Sequence, residues 1–160
     1  MAMQGVRANY LDDELLAAKL DQYDTLILPP TPLLSQEAAV KIAAFVQAGG
    51  KLILVGAAGQ FDPWLNPQAP LGGKAWQSLG WKAPDYKHQP IRKGSRLLGV
   101  NLGQLTHSQT IRDSQGKTIG WQKHWGKGQV FAMGVYPNFS SSNPHPPVDA
   151  EQWMKNIIKI

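Results

Sequence analysis

The hydrophobic and polar positions of this chain follow two periods, and the change from one to the other divides it. Between Tyr23 and Gly59 the pattern predicts one strand–helix–strand unit. Thr25–Leu28 is a short apolar run closed by Pro29 and Pro30, as expected of a strand buried on both faces. Ser35 stands where a helix N-cap belongs, and Glu37 follows in the first turn, where a carboxylate complements the helix dipole. Val40, Ala43, Ala44 and Gln47 share a helical repeat, with Ala39, Ile42 and Val46 beside them, so the pattern predicts one broad apolar face. Gly49 and Gly50 end the helix, and Leu52–Val55 is the second buried strand. A crossover of this length implies that the two strands are parallel. Open parallel sheets bind ligands beyond the carboxyl ends of their strands. Here those ends are Leu28–Pro30 and Gly56–Gly59, and neither carries a nucleophile, an acid or a base.

Outside this unit the pattern is weaker. Val6–Tyr10 reads as a short strand, followed by an Asp12-capped helix to about Leu20. Residues 60–95 hold Pro63, Pro67, Pro70, Pro84 and Pro90 with little periodicity, and read as a long irregular excursion with one helical turn near Ala75–Leu79. Alternation then returns: Gln104–Arg112 and Lys117–Trp125 flank a turn at Asp113–Gly116. A second tight turn, Gly126-Lys127-Gly128, leads into an apolar strand at Gln129–Val135. A Ser, Asn and Pro-rich loop (Asn138–Val148) precedes an amphipathic helix at Ala150–Ile158. The sum is an α/β domain with a parallel core and an antiparallel extension toward the C-terminus.

Composition narrows the chemistry. The 160 residues suffice for one domain with a real core. Cysteine is absent, which removes disulfides, thiolate catalysis and thiolate metal sites. No apolar run approaches the roughly 20 residues that span a bilayer, so no membrane is expected. Asp12, Asp13 and Glu14 interrupt any signal-peptide pattern, which leaves the compartment open with a cytoplasmic lean. The net charge of +5 is uneven: residues 1–50 hold six acids and three bases, residues 51–160 five acids and thirteen bases. Lys82, Lys87, Arg92, Lys93 and Arg96, near Trp81 and Tyr86, would suit a nucleic acid or anionic glycan. No nucleic-acid-binding motif accompanies them, so a solvated loop is the favoured reading and no nucleic-acid partner is expected.

The segment YD-LILP … LS-EA---I--FV-AGGKLILVG, together with GWQKHWGKGQVFAMG at Gly120–Gly134, resembles the class I glutamine amidotransferase-like superfamily. It is most similar to non-glutaminase branches, among them the trimerisation domain of family-42 β-galactosidases and the trehalose-utilisation-like proteins. The resemblance implies a flavodoxin-like three-layer sandwich, with a mainly parallel sheet and an antiparallel C-terminal extension. It implies one such domain over residues 1–160, either lacking the usual first strand and helix or cut from a larger protein. Glutaminases place their cysteine in a G-x-C-x-G turn. The matching residues run Val55 to Gly59, so Ala57 stands at the nucleophile's position. Their His-Pro-Glu step is matched by Tyr136-Pro137-Asn138, leaving Tyr136 and Asn138 at the places of the missing dyad. A methyl group cannot attack a carbonyl, and neither tyrosine nor asparagine is a good base near neutral pH. Glutaminase chemistry is therefore not expected, and no cofactor or metal is.

The remaining candidates are ligand contacts. Gly56 and Gly59 could present backbone amides to an anion. Asp62 beside Trp64 is a polar–aromatic pair near the strand ends, and Tyr136 could point into the same cleft. Trp64, Trp76 and Trp81 could form a platform for sugar rings, although burial in the core or an interface is the favoured role for these tryptophans. His88, His107, His124 and His145 show no metal-ligand spacing, though His107 and His124 could face each other across a hairpin. The leading expectation is a non-catalytic domain serving assembly or accessory binding in carbohydrate metabolism, as a homo-oligomer or with another domain of a larger protein. A sheet edge left open by a missing strand would favour that pairing. The alternatives are a small hydrolase or sugar-modifying enzyme using Asp62, Tyr136 and a histidine, and a glycan- or anion-binding module built on residues 74–96.

Overall fold

The computed structural model describes residues 9–56, 58–66, 71, 74–82, 85–90, 97–112 and 116–137. In chain order these form α1 (Asp13–Lys19), β1 (Thr25–Leu28), β2 (Thr31–Leu33), α2 (Gln36–Ala48), β3 (Lys51–Val55) and β4 (Ala58–Phe61). A 3-10 helix at Lys74–Leu79 follows, then β5 (Trp81–Lys82), β6 (Asp85–Pro90), β7 (Leu97–Asn101) and β8 (Gln104–Leu105). The last four are β9 (Gln109–Arg112), β10 (Thr118–Trp125), β11 (Gly128–Met133) and β12 (Val135–Pro137).

The strand–helix–strand unit forms as the caps and periodicity predict. Asp12 caps α1 by accepting a hydrogen bond from the Leu15 amide at 2.8 Å, and Ser35 caps α2 through the Ala38 amide at 3.1 Å. Gly49 closes α2 with φ +129, a conformation that side-chain-bearing residues rarely adopt. β1 and β3 pair in parallel, with Leu26 opposite Leu52 and Leu28 opposite Leu54. The central sheet has the order β1-β3-β11-β10-β9. β11 runs parallel to β3, with Phe131 opposite Ile53, while β10 and β9 are antiparallel. The molecule is thus a mixed α/β fold, rich in sheet and with both pairing modes in one sheet. Ala38, Ala39, Ile42, Ala43 and Val46 of α2 join Leu52, Leu54, Val130 and Phe131 in the core. Burial of this kind stabilises by about 25 cal/mol per Å² of apolar surface removed from water.

Several expectations need correction. The apolar face of α2 is rotated: Ala39, Ala43 and Val46 are buried, but Val40 and Ala44 face solvent. Small alanines let the helix lie close on the side where Ile42 and Val46 fill the space, and Val40 is left over. The described residues between 60 and 90 are less irregular than their prolines suggest. They contain the end of β4, the expected helical turn, and β5 and β6, which pair with β8 and β7. The stretch Gln104–Arg112 is two strands, because His107 takes φ +55 and turns the chain between them. The strand expected at Gln129–Val135 ends at Met133. Beyond Gly134 the chain leaves β11 and enters β12, which pairs with β7. Asn9 and Tyr10 are not in a strand, and the rest of the expected strand Val6–Tyr10 lies outside the described residues, as do the loop and helix expected after Pro137.

The Gly126-Lys127-Gly128 turn has a specific task. It brings the β10–β11 hairpin onto the C-terminus of α2, where the Lys127 amide donates to the Gln47 carbonyl at 3.1 Å and the Gln129 amide to Gly50 at 3.2 Å. The first bond satisfies a carbonyl that the helix end otherwise leaves unpaired, and the second opens the β11–β3 pairing. A Cβ on Gly126 would lie 2.7 Å from the Gln47 Cα, so only glycine permits this approach.

Candidate functional site

Extended structure continues past the carboxyl ends of β1 and β3. Two residues beyond each end the chain resumes extended structure, and β2 and β4 pair in parallel just past β1 and β3. Thr31 is opposite Ala58 and Leu33 opposite Phe61, and the Leu34 amide donates to the Phe61 carbonyl at 3.1 Å. Pro32 and Gly59 inside three- and four-residue strands concealed this pair in the sequence.

The glycine candidates are absorbed by these ladders. Gly56 (φ +68) is buried, and its amide donates to the Met133 carbonyl at 2.7 Å, extending the β3–β11 pairing by one residue. Gly59 (φ +63) is buried within β4. The Gly56 amide is therefore engaged and unavailable to an anion. The turn leads into a strand and not into a helix, so no helix dipole is aimed at it. Ala57 and Asn138 lie outside the described residues. Tyr136 lies on β12 opposite Leu98 of β7, in a three-stranded ladder separate from the one holding β4.

Asp62 and Trp64 belong to one tight turn. The Asp62 Oδ1 accepts from the Trp64 amide at 2.9 Å and the Asn66 amide at 2.8 Å, and Oδ2 accepts from the Asn66 Nδ2 at 2.9 Å. The Asp62 amide donates to the Asn66 carbonyl, and the Leu65 amide to the Asp62 carbonyl, both at 3.0 Å. This is an aspartate turning back on its own backbone, with Pro63 fixing the next φ. The Asn66 side-chain amide first, helped by the two backbone amides and opposed by desolvation, holds the Asp62 carboxyl below its ordinary range. A carboxylate so stabilised is a poor general base near neutral pH. Its chemistry here is to lock the turn.

The sign of that coupling is testable. A group whose folded value is lowered contributes stability that is fully present above its unfolded value and is lost as the pH falls through the folded one. We expect Asp62→Ala to lower the melting temperature at neutral pH, and the gap to wild type to narrow on acidification below the ordinary aspartate range. A gap that persists undiminished into strong acid overturns the role of the ionised carboxylate.

What the locked turn displays is apolar. Trp64 is 80% exposed and Leu65 67%, the latter at φ +65, a conformation that leucine seldom takes. The other tryptophans behave differently. Trp76 and Trp125 are buried and stacked, with ring centroids 4.7 Å apart, and their indole N–H groups donate to the Ala39 carbonyl and the Ser78 hydroxyl, each at 3.1 Å. Trp81 is half-buried and donates to the Leu102 carbonyl. The three loop tryptophans therefore form no common sugar platform, because Trp76 and Trp81 are anchored in the fold. His124 meets Gln129 on the neighbouring strand at 3.1 Å, while His107 occupies the turn before β9. Among the described residues no group of three or more His, Asp or Glu is placed to hold a metal, and no helix is long and apolar enough to cross a membrane. Leu33 and Leu65 carried no periodic signal and were missed as surface residues.

Comparison with known proteins bears on this arrangement. The sequence model of the β-galactosidase trimerisation domain matches residues 12–73, the segment from α1 through the Asp62 turn. No curated protein matches the chain. Its fold is similar to part of the family-42 β-galactosidase Gan42B of G. stearothermophilus, with a TM-score of 0.59 and 16% identity over 88% of this chain and 22% of that one. The β-galactosidase of the haloarchaeon Halorubrum lacusprofundi gives a TM-score of 0.59 at 14% identity, over 90% of this chain and 23% of that one. That of Bacillus circulans sp. alkalophilus gives 0.58 at 14% identity, over 88% and 23%. The chain thus spans less than a quarter of the length of these enzymes. In sequence over residues 12–73, and in fold over most of its length, it resembles one part of family-42 β-galactosidases, and that sequence match is to their trimerisation domain.

Proposed function

We propose that this chain is a non-catalytic assembly domain, linked to carbohydrate metabolism, that holds copies of a larger protein together. The observation that carries the proposal is the match of residues 12–73 to the β-galactosidase trimerisation domain. The site geometry supports it: the Asp62 carboxylate is consumed in locking a turn, and that turn exposes apolar side chains. In this reading residues 1–160 act as one amidotransferase-like domain with flavodoxin-like layering, and Ala57, Tyr136 and Asn138 stand where a glutaminase would keep its catalytic groups. The partner is a further copy of the same chain. No catalysis by this domain itself is required.

The test is the association state. Sedimentation velocity on the 160-residue chain should show concentration-dependent self-association that approaches a trimer. A strict monomer at the highest accessible concentration overturns the proposal.

A further inference from the structure

We infer that the face of the central sheet turned away from α2 is the docking site of residues 150–158 of the same chain. Side-chain alternation along the strands assigns the two faces. A Cβ on Gly128 would press onto the Val46 carbonyl of α2, and Trp125, its partner across the ladder, stacks on Trp76, which bonds Ala39 of α2. That parity places Val130 and Leu52 beneath α2. The opposite parity places Ile53, Val55, Phe131 and Met133 together on the far face, Ile53 opposite Phe131 and Val55 opposite Met133. A Cβ on Gly120 would lie 3.1 Å from the Met133 sulfur, as expected of cross-strand neighbours on that face.

This far face is covered. Phe131 is 1% exposed, and Ile53, Val55 and Met133 are buried with it. Neighbouring strands shield a side chain laterally, but side chains stand out from the sheet and need a second layer above them. Among the described residues, α2 is the one helix packed extensively on the central sheet, and it lies on the other side. The smaller ladders do not supply the layer. β2–β4 lies past the ends of β1 and β3, and β7 joins at Gly134, just beyond the end of β11. β5 follows the 3-10 helix on the α2 side, where Lys123, two residues from Trp125, donates to the Leu79 carbonyl at 2.6 Å. The Lys51 ammonium, 5.7 Å from the Phe131 ring centroid, reaches over one ring where β3 begins. The burial is that of a lone chain, so the cover belongs to the chain itself.

The sequence outside the described residues identifies the occupant. Ala150, Trp153, Met154, Ile157 and Ile158 recur at i, i+3, i+4, i+7 and i+8, the stripe of a helix with one buried side. Asp149 precedes them as an N-cap residue, with Glu151 in the first turn. Gln152, Lys155, Asn156 and Lys159 fill the positions between. The other stretches outside the described residues are shorter, from residues 1–8 to the basic residues 91–96, and none carries such a stripe. The inference goes beyond the assembly reading and does not depend on it. With both faces of the sheet closed within one chain, a further copy meets this chain at a sheet edge or a loop.

The chain contains no cysteine, so introduced thiols report on single positions. Ile157→Cys and Lys155→Cys place thiols on opposite sides of the segment. Expected is labelling by a thiol reagent at least about tenfold slower at 157 than at 155, since a docked side reacts only on local opening. Equal rates overturn the docking. A second comparison locates the docked face: Ile53→Cys reports on the far face and Val130→Cys on the face beneath α2, each alone and combined with Trp153→Ala, well below the melting temperature. Trp153→Ala should speed labelling at 53 by at least about tenfold and leave that at 130 within about twofold. An unchanged rate at 53, or an equal rise at both positions, overturns the inference. Protection at 53 that fades on dilution would assign the cover to a neighbouring copy and overturn the same chain as the occupant.

Discussion

Replacing Gly128 by alanine is expected to destabilise the fold by about 3 kcal/mol, at the upper end for overpacking. At roughly 3 °C per kcal/mol for a domain of this size, the melting temperature should fall by about 10 °C. The reason is space, not backbone conformation. Gly128 begins β11 and does not adopt positive φ, so alanine fits its local geometry. A Cβ there would overlap the carbonyl oxygens of both Val46 and Gly50. Those are backbone atoms at the end of α2 and the start of the chain into β3, and neither can rotate away as a side chain could. Relief requires moving the hairpin off the helix, which breaks the bonds from Lys127 to Gln47 and from Gln129 to Gly50. Gly116→Ala is the contrast, since a Cβ there would meet nothing within 4 Å. Its φ of +78 still imposes strain, so a loss of about 1 kcal/mol is expected from conformation alone. A Gly128→Ala protein within about 0.5 kcal/mol of wild type, the scatter of surface substitutions, would show that the hairpin and helix do not touch as described.

The sequence disclosed what is encoded locally and concealed what is settled at a distance. The unit from Thr25 to Val55 was legible because each boundary has its own chemistry: Pro29 after β1, the Ser35 hydroxyl before α2, and Gly49 at its end. The Gly126–Gly128 turn was legible as a turn. That β11 joins β3 in parallel, making the hairpin part of the central sheet, depends on packing against α2 and has no local signature. The β2–β4 pair was illegible because its strands are too short to show a period and contain Pro32 and Gly59. At the candidate site, the Asp62–Trp64 pair stands out in the sequence as a candidate ligand contact. Its role was not readable, because an aspartate that binds its own turn and one that binds a ligand are the same letter. The Asp62-Pro63 step and Asn66 four residues on are the signal that favours the turn. The tryptophans pose the same difficulty. Trp64 and Trp76 both lie in the Pro-rich stretch, and only the packing separates a displayed ring from a buried one.

That separation yields the second large effect. Trp76→Ala is expected to cost about 4 kcal/mol, within the usual range for deleting a buried aromatic, whereas Trp64→Ala should leave folding stability within about 0.5 kcal/mol of wild type. Trp76 is 3% exposed and fills the space between the 3-10 helix that bears it and α2. It stacks on Trp125 at the end of β10, and its N–H ties the 3-10 helix to the Ala39 carbonyl. Removing the ring opens a cavity bounded by elements that are already fixed by the sheet and by the hairpin on α2, so collapse can recover little of the loss. Trp76→Phe divides the effect. It keeps much of the stack and deletes the N–H donor, which a helix carbonyl already bonded within α2 tolerates at about 1 kcal/mol. Denaturant unfolding monitored by fluorescence measures all three variants. The expected ranking is Trp76→Ala, then Trp76→Phe, then Trp64→Ala, set by burial and by how much of the ring each substitution removes. Equal losses at 64 and 76 would mean that the Asp62 turn is packed against the body of the domain. Its tryptophan would then be unavailable to a neighbouring copy, and the turn would lend no support to the assembly reading.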